Sequence, residues 1–218
     1  MSERDLKNYR PPAFPRAAPL TGRYVTLSPM DPDRDAGPMQ TAVDDAVFDF
    51  LPYGPFADAT GYRDWMDDFG SQPDPVFYAI QPEGADGCRG VASYLRIAPP
   101  MGSIEIGHIA LSPELQRTRA ATEAISLMIR WAFDAGYRRV EWKCNAANAG
   151  SMRAAERFGF TYEGTFRQAA IVKGRNRDTA WFSIIDGEWP RVRAAHDAWL
   201  DPANFDEAGR QRTRLSVR

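Results

Sequence analysis

The sequence predicts a single α/β (α+β) domain: an antiparallel meander of strands followed by a strand–helix–strand unit, with flanking helices. Three observations carry this expectation. Short segments of strand character at 76–81, 90–97 and 103–111 are parted by Gly and Pro turns, among them Glu83-Gly84 and Pro99-Pro100-Met101-Gly102. The clearest helical pattern covers 119–135, with Ala121, Ile125, Met128, Ile129 and Ala132 on one stripe and Gly136 as its stop, and a strand at 139–144 follows it. A chain of 218 residues with 44% hydrophobic and 26% charged residues suits one soluble domain and is too short for two with deep cores.

In chain order, residues 1–19 hold Pro11-Pro12-Ala13-Phe14-Pro15 and Pro19, whose rings deny both helix and central strand, so an extended arm is expected there. Residues 24–27 alternate like a first strand that Pro29 ends. Helices are expected near 33–46 and 59–69, the second placing Tyr62, Trp65, Met66 and Phe69 at helical spacing. Between them Leu51 to Phe56 is rich in turn residues, and its aromatics Tyr53 and Phe56 either line a substrate entrance or cover the core. After the strand at 139–144, a short helix at 151–158 stops at Gly159 and leads to a strand at 160–166. Residues 168–173 and 178–185 then read as a hairpin around Gly174-Arg175-Asn176, and 188–200 as a last helix. The domain is therefore expected over 20–200, with a solvated tail at 201–218 that carries Arg210, Arg212, Arg214 and Arg218.

Composition excludes several classes of partner. With 27 basic and 29 acidic side chains the formal charge is −2, so neither nucleic acid nor an anionic membrane is attracted globally and an anionic ligand needs a local site. No apolar stretch approaches the roughly 20 residues that span a bilayer. Two cysteines, Cys88 and Cys144, and two histidines, His108 and His196, lie far apart, which gives no metal-ligand spacing and no disulfide framework. A cytoplasmic, metal-free protein is the expectation.

The chemistry is expected where the strand at 103–111 passes into the helix at 119–135. A helix N-terminus there offers free N–H groups and the positive end of its dipole, which suit a phosphate or pyrophosphate. Neither a G-x-x-x-x-G-K-[ST] loop nor a G-x-G-x-x-G turn after a strand is present, so nucleoside triphosphates and Rossmann dinucleotides are not favoured. A second junction, Asn148-Ala149-Gly150-Ser151, opens the next helix, and capping alone would account for its Asn and Ser.

Three runs in this order resemble the GNAT superfamily of acetyl-CoA-dependent N-acetyltransferases: Ile104-Glu105-Ile106-Gly107-His108, then Leu111 through Gln116-Arg117-Thr118-Arg119-Ala120-Ala121-Thr122-Glu123-Ala124, then Asn148-Ala149-Gly150-Ser151 through Phe158-Gly159-Phe160. The later segments Glu163 to Ala169, Gly174 to Asp178 and Glu188-Trp189 resemble the RimJ/RimL branch, which acetylates N-terminal amines of ribosomal proteins. The resemblance spans about Leu20 to Trp189. It implies a mixed, mostly antiparallel sheet splayed open between the strands ending at Leu111 and Cys144, with coenzyme A in the cleft.

By the same resemblance, acetyl-CoA is the cosubstrate, held by Ile109, Leu111, the loop Gln116, Arg117, Thr118, Arg119, Ala120, Ala121 and Thr122, and by Asn148 and Ser151. Arg119 stands where the family loop has a glycine, so it either pairs with a phosphate or is a solvated first-turn residue. Transfer to an amine needs a proton acceptor for the amine and a donor for the departing thiolate. The resemblance places Ser151 near the sulfur. The tyrosine donor of other branches is replaced by Ala155, and the glutamate of RimL-like proteins by Ala170. Glu105 on the strand bordering the cleft is the substitute base, with backbone-held water as the alternative. Strand alternation would set Glu105 and His108 on opposite faces unless a bulge at Gly107 intervenes.

The acceptor is accordingly expected to be a small-molecule amine or a protein N-terminus, recognised by variable loops around 45–60 and 168–178, with pairing into a homodimer left open. A different class of function also fits: a non-catalytic acyl-CoA-binding or regulatory module whose loop and base have degenerated.

Overall fold

A computed structural model describes residues 5–16 and 18–217; residues 1–4 and 17 of the expected arm and Arg218 of the expected tail lie outside the described residues. Among the described residues eight strands form one sheet in the order β1-β2-β3-β4-β5-β6-β8-β7. They are β1 (Leu20–Thr21), β2 (Val25–Pro29), β3 (Val76–Pro82), β4 (Gly90–Ala98), β5 (Ser103–Leu111), β6 (Arg139–Asn145), β7 (Thr161–Val172) and β8 (Arg175–Ile185). Five helices surround it: α1 (Pro32–Ala42), α2 (Ala59–Gly70), α3 (Arg119–Asp134), α4 (Ala149–Arg157) and α5 (Trp189–Leu200).

The strands from β1 to β5 form the expected antiparallel meander. Among the described residues only β5 and β6 run parallel, because α3 carries the chain back across the sheet between them. That pairing covers three residue pairs, Ser103 with Arg139, Ile104 with Val140 and Glu105 with Glu141, after which the two strands part. On one face of the sheet Ile104, Ile106, Val140 and Phe182 meet the buried stripe Ala121, Ile125, Met128 and Ile129 of α3. The other face is covered toward β3 by α1 and α2, through Met39, Tyr62, Met66, Val91 and Ala110.

Several boundaries depart from the sequence pattern. The first helix ends at Ala42, where Val43 is extended, and a separate 3-10 turn covers Asp45–Phe48. The expected strands at 160–166 and 168–173 are one strand, β7, because the apparent break is a bulge: Gln168 takes φ 51° and the Asp178 carboxylate accepts its N–H at 2.7 Å. The two-residue β1 is too short to show alternation in sequence. The tail is not a solvated end. Phe205 and Leu215 are buried against the main core, and Gln211 Oε1 accepts from Trp199 Nε1 at 2.9 Å. The Pro-rich arm also docks: Tyr137 Oη donates to Ala13 O at 3.1 Å, and Tyr9 Oη to Pro99 O at 2.9 Å.

The turn between β1 and β2 is held to α3 by one buried carboxylate. Glu123 accepts the N–H of Arg23 at 2.9 Å and of Tyr24 at 2.6 Å, and it approaches Gly22 so closely that a Cβ there would lie 2.3 Å from Glu123 Cδ. Removing the acceptor leaves two backbone donors without a charged partner, so Glu123→Ala is expected to lower stability by about 2–3 kcal/mol in urea unfolding. Gly22→Ala should cost more than about 1 kcal/mol in the parent chain and little once Glu123 is alanine, because the obstructing group is gone. Additive costs in the double variant would show that the two residues do not meet.

Candidate functional site

The site begins with an interruption in β5. Ser93 pairs with Gly107 and Val91 with Ala110, so three steps on β5 oppose two on β4, and His108 takes up the extra residue at φ 51°. The bulge settles the question of faces. Glu105 is directed away from Ile104 and Ile106 to the face that bears α2, and the inserted residue returns His108 to that same face, where its ring packs against Phe69 at 5.5 Å and Phe77 at 5.3 Å. A left-handed backbone is uncommon outside glycine, and here it sits where β5 leaves β6.

Glu105 is 4% exposed and fully engaged at one oxygen. Arg96 Nε donates to its Oε2 at 2.7 Å and Lys143 Nζ lies 2.9 Å from the same atom, leaving Oε1 toward the bare Cα side of Gly107. Lys143 also reaches Glu141 Oε2 at 2.6 Å and lies 3.7 Å from the centre of the Trp181 ring. Glu141 in turn accepts from Arg139, which is bound to Glu163, whose Oε1 accepts from Ser183 at 2.8 Å. Arg96 is itself left-handed, at φ 46°, and the Asp74 carboxylate pins it by accepting its N–H at 3.1 Å and that of Ile97 at 3.0 Å.

Beside this network stands an aromatic wall. Tyr53 lies 4.1 Å from Trp65 and stacks on His108 at 5.6 Å, whereas Phe56 stacks on Tyr62 of α2 at 4.4 Å. Of the two loop aromatics, Tyr53 faces the bulge and Phe56 covers the core. Burial, with the positive charges of Arg177 and Arg96 adding to it, pushes the His108 imidazole down to about 4, so its ring is neutral near pH 7.

Across the gap, Thr118 caps α3 by accepting from Ala121 N at 3.1 Å, and Arg119 and Ala120 are the first two helical positions, whose N–H groups have no partner within the helix. Gln116 Nε2 closes the loop onto Leu111 O at 3.0 Å. The left-handed residue of this loop is Arg117, at φ 63°, not Arg119. Neither sequence reading of Arg119 describes its placement: the guanidinium lies between the rings of Tyr24 and Phe205, 4.7 and 4.8 Å from their centres, where it ties the C-terminal segment to α3.

Asn148 Oδ1 accepts from Ser151 N at 2.9 Å and caps α4. Ser151 Oγ accepts from Trp142 Nε1 at 2.9 Å; burial raises the nearby Cys144 thiol and a hydrogen bond with the Ser151 hydroxyl partly offsets this. Ile109 and Leu111 lie on the stretch of β5 beyond its last pair with β6. The structure sets Glu105 at the last pair of β5 with β6, Ile109 and Leu111 further along β5, the 116–122 loop at the start of α3, and Asn148 and Ser151 at the start of α4, with the Arg119 side chain turned aside. Sequence reasoning missed Arg96, Lys143, Arg177 and Trp181. Alternation along β6 and β8 could have placed the last three on one face, but their company with Glu105 depends on strand order. A surface depression of about 840 Å³ over the β7–β8 bulge is lined by Phe166, Gln168, Asn176 and Asp178.

Among the described residues no helix is long and apolar enough to cross a membrane. An acetyltransferase (GNAT) domain model matches residues 25–161. Among solved structures, a GCN5-related N-acetyltransferase from Brucella melitensis is 43% identical, with 96% of this chain and 97% of that chain covered and a TM-score of 0.93. A protein described as a GNAT-family acetyltransferase from Chromobacterium violaceum is 42% identical over 87% of this chain and 97% of its own, with a TM-score of 0.82. The microcin C7 self-immunity acetyltransferase, solved with acetyl-CoA and AMP, shares the fold at 21% identity over 75% of this chain and 93% of its own, with a TM-score of 0.64. No curated protein matches the sequence significantly.

The neutral His108 has a consequence for stability. The unfolded chain binds a proton at this ring near the ordinary 6.5, the folded one only near 4, so the contribution is present above 6.5 and is lost as pH falls toward 4. Replacing His108 by Phe keeps the ring packing and removes the proton. Its loss of stability between pH 7 and 4.5, read from urea midpoints, should be smaller than that of the parent by about 2 kcal/mol. Parallel curves would show that the ring is hydrated in the fold.

Proposed function

The chain belongs to the GNAT acetyltransferase family, and from that premise we propose that it transfers an acetyl group from acetyl-CoA to a primary amine by direct attack while both are bound. The observation that carries this reading is the parting of β5 from β6 after three pairs, opposite the uncapped N–H groups of α3. The freed edge of β5, Ile106 to Leu111, offers backbone donors and acceptors to an extended, amide-bearing chain. The first turn of α3, within the segment Gln116 to Thr122, suits a pyrophosphate. The Arg119 side chain, drawn between Tyr24 and Phe205, does not cover those N–H groups, so the loss of the family glycine is compatible with binding.

Bound acetyl-CoA supplies an activated acyl group and a thiolate leaving group. Glu105 Oε1 receives the proton of the amine while Arg96 and Lys143 hold Oε2, and Ser151 keeps a hydroxyl proton on the α4 side of the cleft. Asn148 fixes Ser151 by capping its helix. The segments Glu163 to Ala169 and Gly174 to Asp178 support a place near the RimJ/RimL branch, and both a protein N-terminal amine and a small amine satisfy this chemistry.

Calorimetry with coenzyme A and thiol release over a panel of amines test the proposal. Coenzyme A should bind the parent chain, and Glu105→Gln should lower turnover about 10²-fold with affinity for coenzyme A nearly unchanged. A parent chain that does not bind coenzyme A contradicts the reading. Binding without turnover of any amine would instead mark an acyl-CoA-binding module.

A further inference from the structure

A buried donor or acceptor without a partner loses its water and gains nothing in return, so folded proteins leave few of them, and each one asks for a reason. Among the described residues six side-chain atoms are in this state. Two, Tyr62 Oη and His196 Nδ1, belong to residues packed within the two cores. The other four are Tyr53 Oη, His108 Nδ1, Arg177 Nε and Trp181 Nε1, and they come from the loop before α2, from β5 and from β8.

These four form two pairs, one on each side of the splay. Tyr53 stacks on His108. Arg177 and Trp181 are four residues apart on β8 and so share a face, the face on which Lys143 covers Trp181 and holds Glu105. The last pair between β6 and β8 is Asn145 with Thr179, so Arg177 lies beyond the end of β6, where no strand stands between β8 and the edge of β5. Its charge is felt on both sides of the gap, at His108 and at Cys144.

The charges of this region are unequally matched. Lys143, Arg96 and Arg139 are each paired with Glu105, Glu141 or Glu163. Asp74 is occupied by the N–H groups of Arg96 and Ile97, and Asp178 by Gln168 N and Asn176 Nδ2. Arg177 forms no ion pair among the described residues, and its Nε is buried. Three unmet donors, an imidazole nitrogen and one uncompensated cation together suit a group that brings oxygen lone pairs and negative charge. A polyamine would meet like charge there.

We propose that Arg177, Trp181, Tyr53 and His108 form an acceptor-side subsite for an oxyanion, so that the acceptor is a small amine bearing a carboxylate or phosphate group, its apolar part lying against Tyr53, Trp65 and Phe69. This rests on the acetyltransferase reading above and narrows it. A protein N-terminal amine, whose own carboxylate is spent in a peptide bond, lacks the group that the subsite is built to hold.

The test compares matched acceptors in thiol release with acetyl-CoA: each common amino acid against its decarboxylated amine, and phosphoethanolamine against ethanolamine, which separates the carboxylate source from the phosphate source. In the parent chain kcat/KM for the oxyanion-bearing member of at least one class should exceed that of its partner by about 10- to 100-fold. Arg177→Gln should remove most of that preference, leaving turnover of the partner lacking the oxyanion and the affinity for coenzyme A within about twofold; Arg177→Lys should keep part of it. The comparison within the parent chain needs no variant to fold. Equal or faster turnover of the oxyanion-free amines overturns the proposal, and so does a preference that survives Arg177→Gln. Coenzyme A binding with no oxyanion-bearing amine acetylated also overturns it while leaving the family reading intact. Failure to bind coenzyme A at all is a separate result, which sinks the acetyltransferase reading itself.

Discussion

A parallel ladder must be held by a crossover, and here the crossover helix α3 is placed so that β5 and β6 pair over three residues before they part. Beyond Glu105 the facing edge of β5 has no strand to bond, yet its other edge stays paired with β4 to Leu111. The extra residue at His108 is what reconciles the two demands: the ladder with β4 resumes at Ala110, and the strand is bent and re-aimed within it. Without that residue Glu105 and His108 would stand on opposite faces, and the aromatic wall, the carboxylate and the open edge would not address a common space.

The floor of this space is ionic where a hydrophobic floor would serve stability as well. Buried charges are tolerated when each finds a partner in good geometry. The chain Arg96–Glu105–Lys143–Glu141–Arg139–Glu163 meets that condition, running from β4 through β5 and along β6, then across β8 to β7. It also fixes the orientation of Glu105, since both cations hold one oxygen and leave the other toward Gly107. The same sheet face carries Arg177 outside the chain of pairs.

Much of this was legible in the sequence because it depends on local chemistry. The stripe of α3, the Gly136 and Gly159 stops and the turns around Gly84 and Gly102 act over a few residues, and they located the elements within a few positions. The cap at Asn148 was found for the same reason, whereas the loop Gln116 to Thr122 was assigned by the family resemblance. What was not legible depends on partners distant in the chain. Arg119 is held by Phe205, on a segment whose composition resembles a solvated tail, and Glu105 meets Lys143 through a strand pairing that no spacing announces. The bulge at His108 was named only as a condition, because whether a strand takes an extra residue is decided by its neighbour's register.

The central claim is that the gap between β5 and β6 receives acetyl-CoA, with its phosphates at the first turn of α3. Hydrogen–deuterium exchange of the whole chain with and without acetyl-CoA tests it most directly, because the N–H groups of Arg119 and Ala120 have no partner within the helix and the edge of β5 beyond Glu105 has no strand to bond. The account predicts slowed exchange in peptides covering residues 106–121 and 145–152, with β1 to β3 unchanged. Unchanged exchange across those peptides at saturating acetyl-CoA, or protection confined to the β7–β8 hairpin, would contradict it.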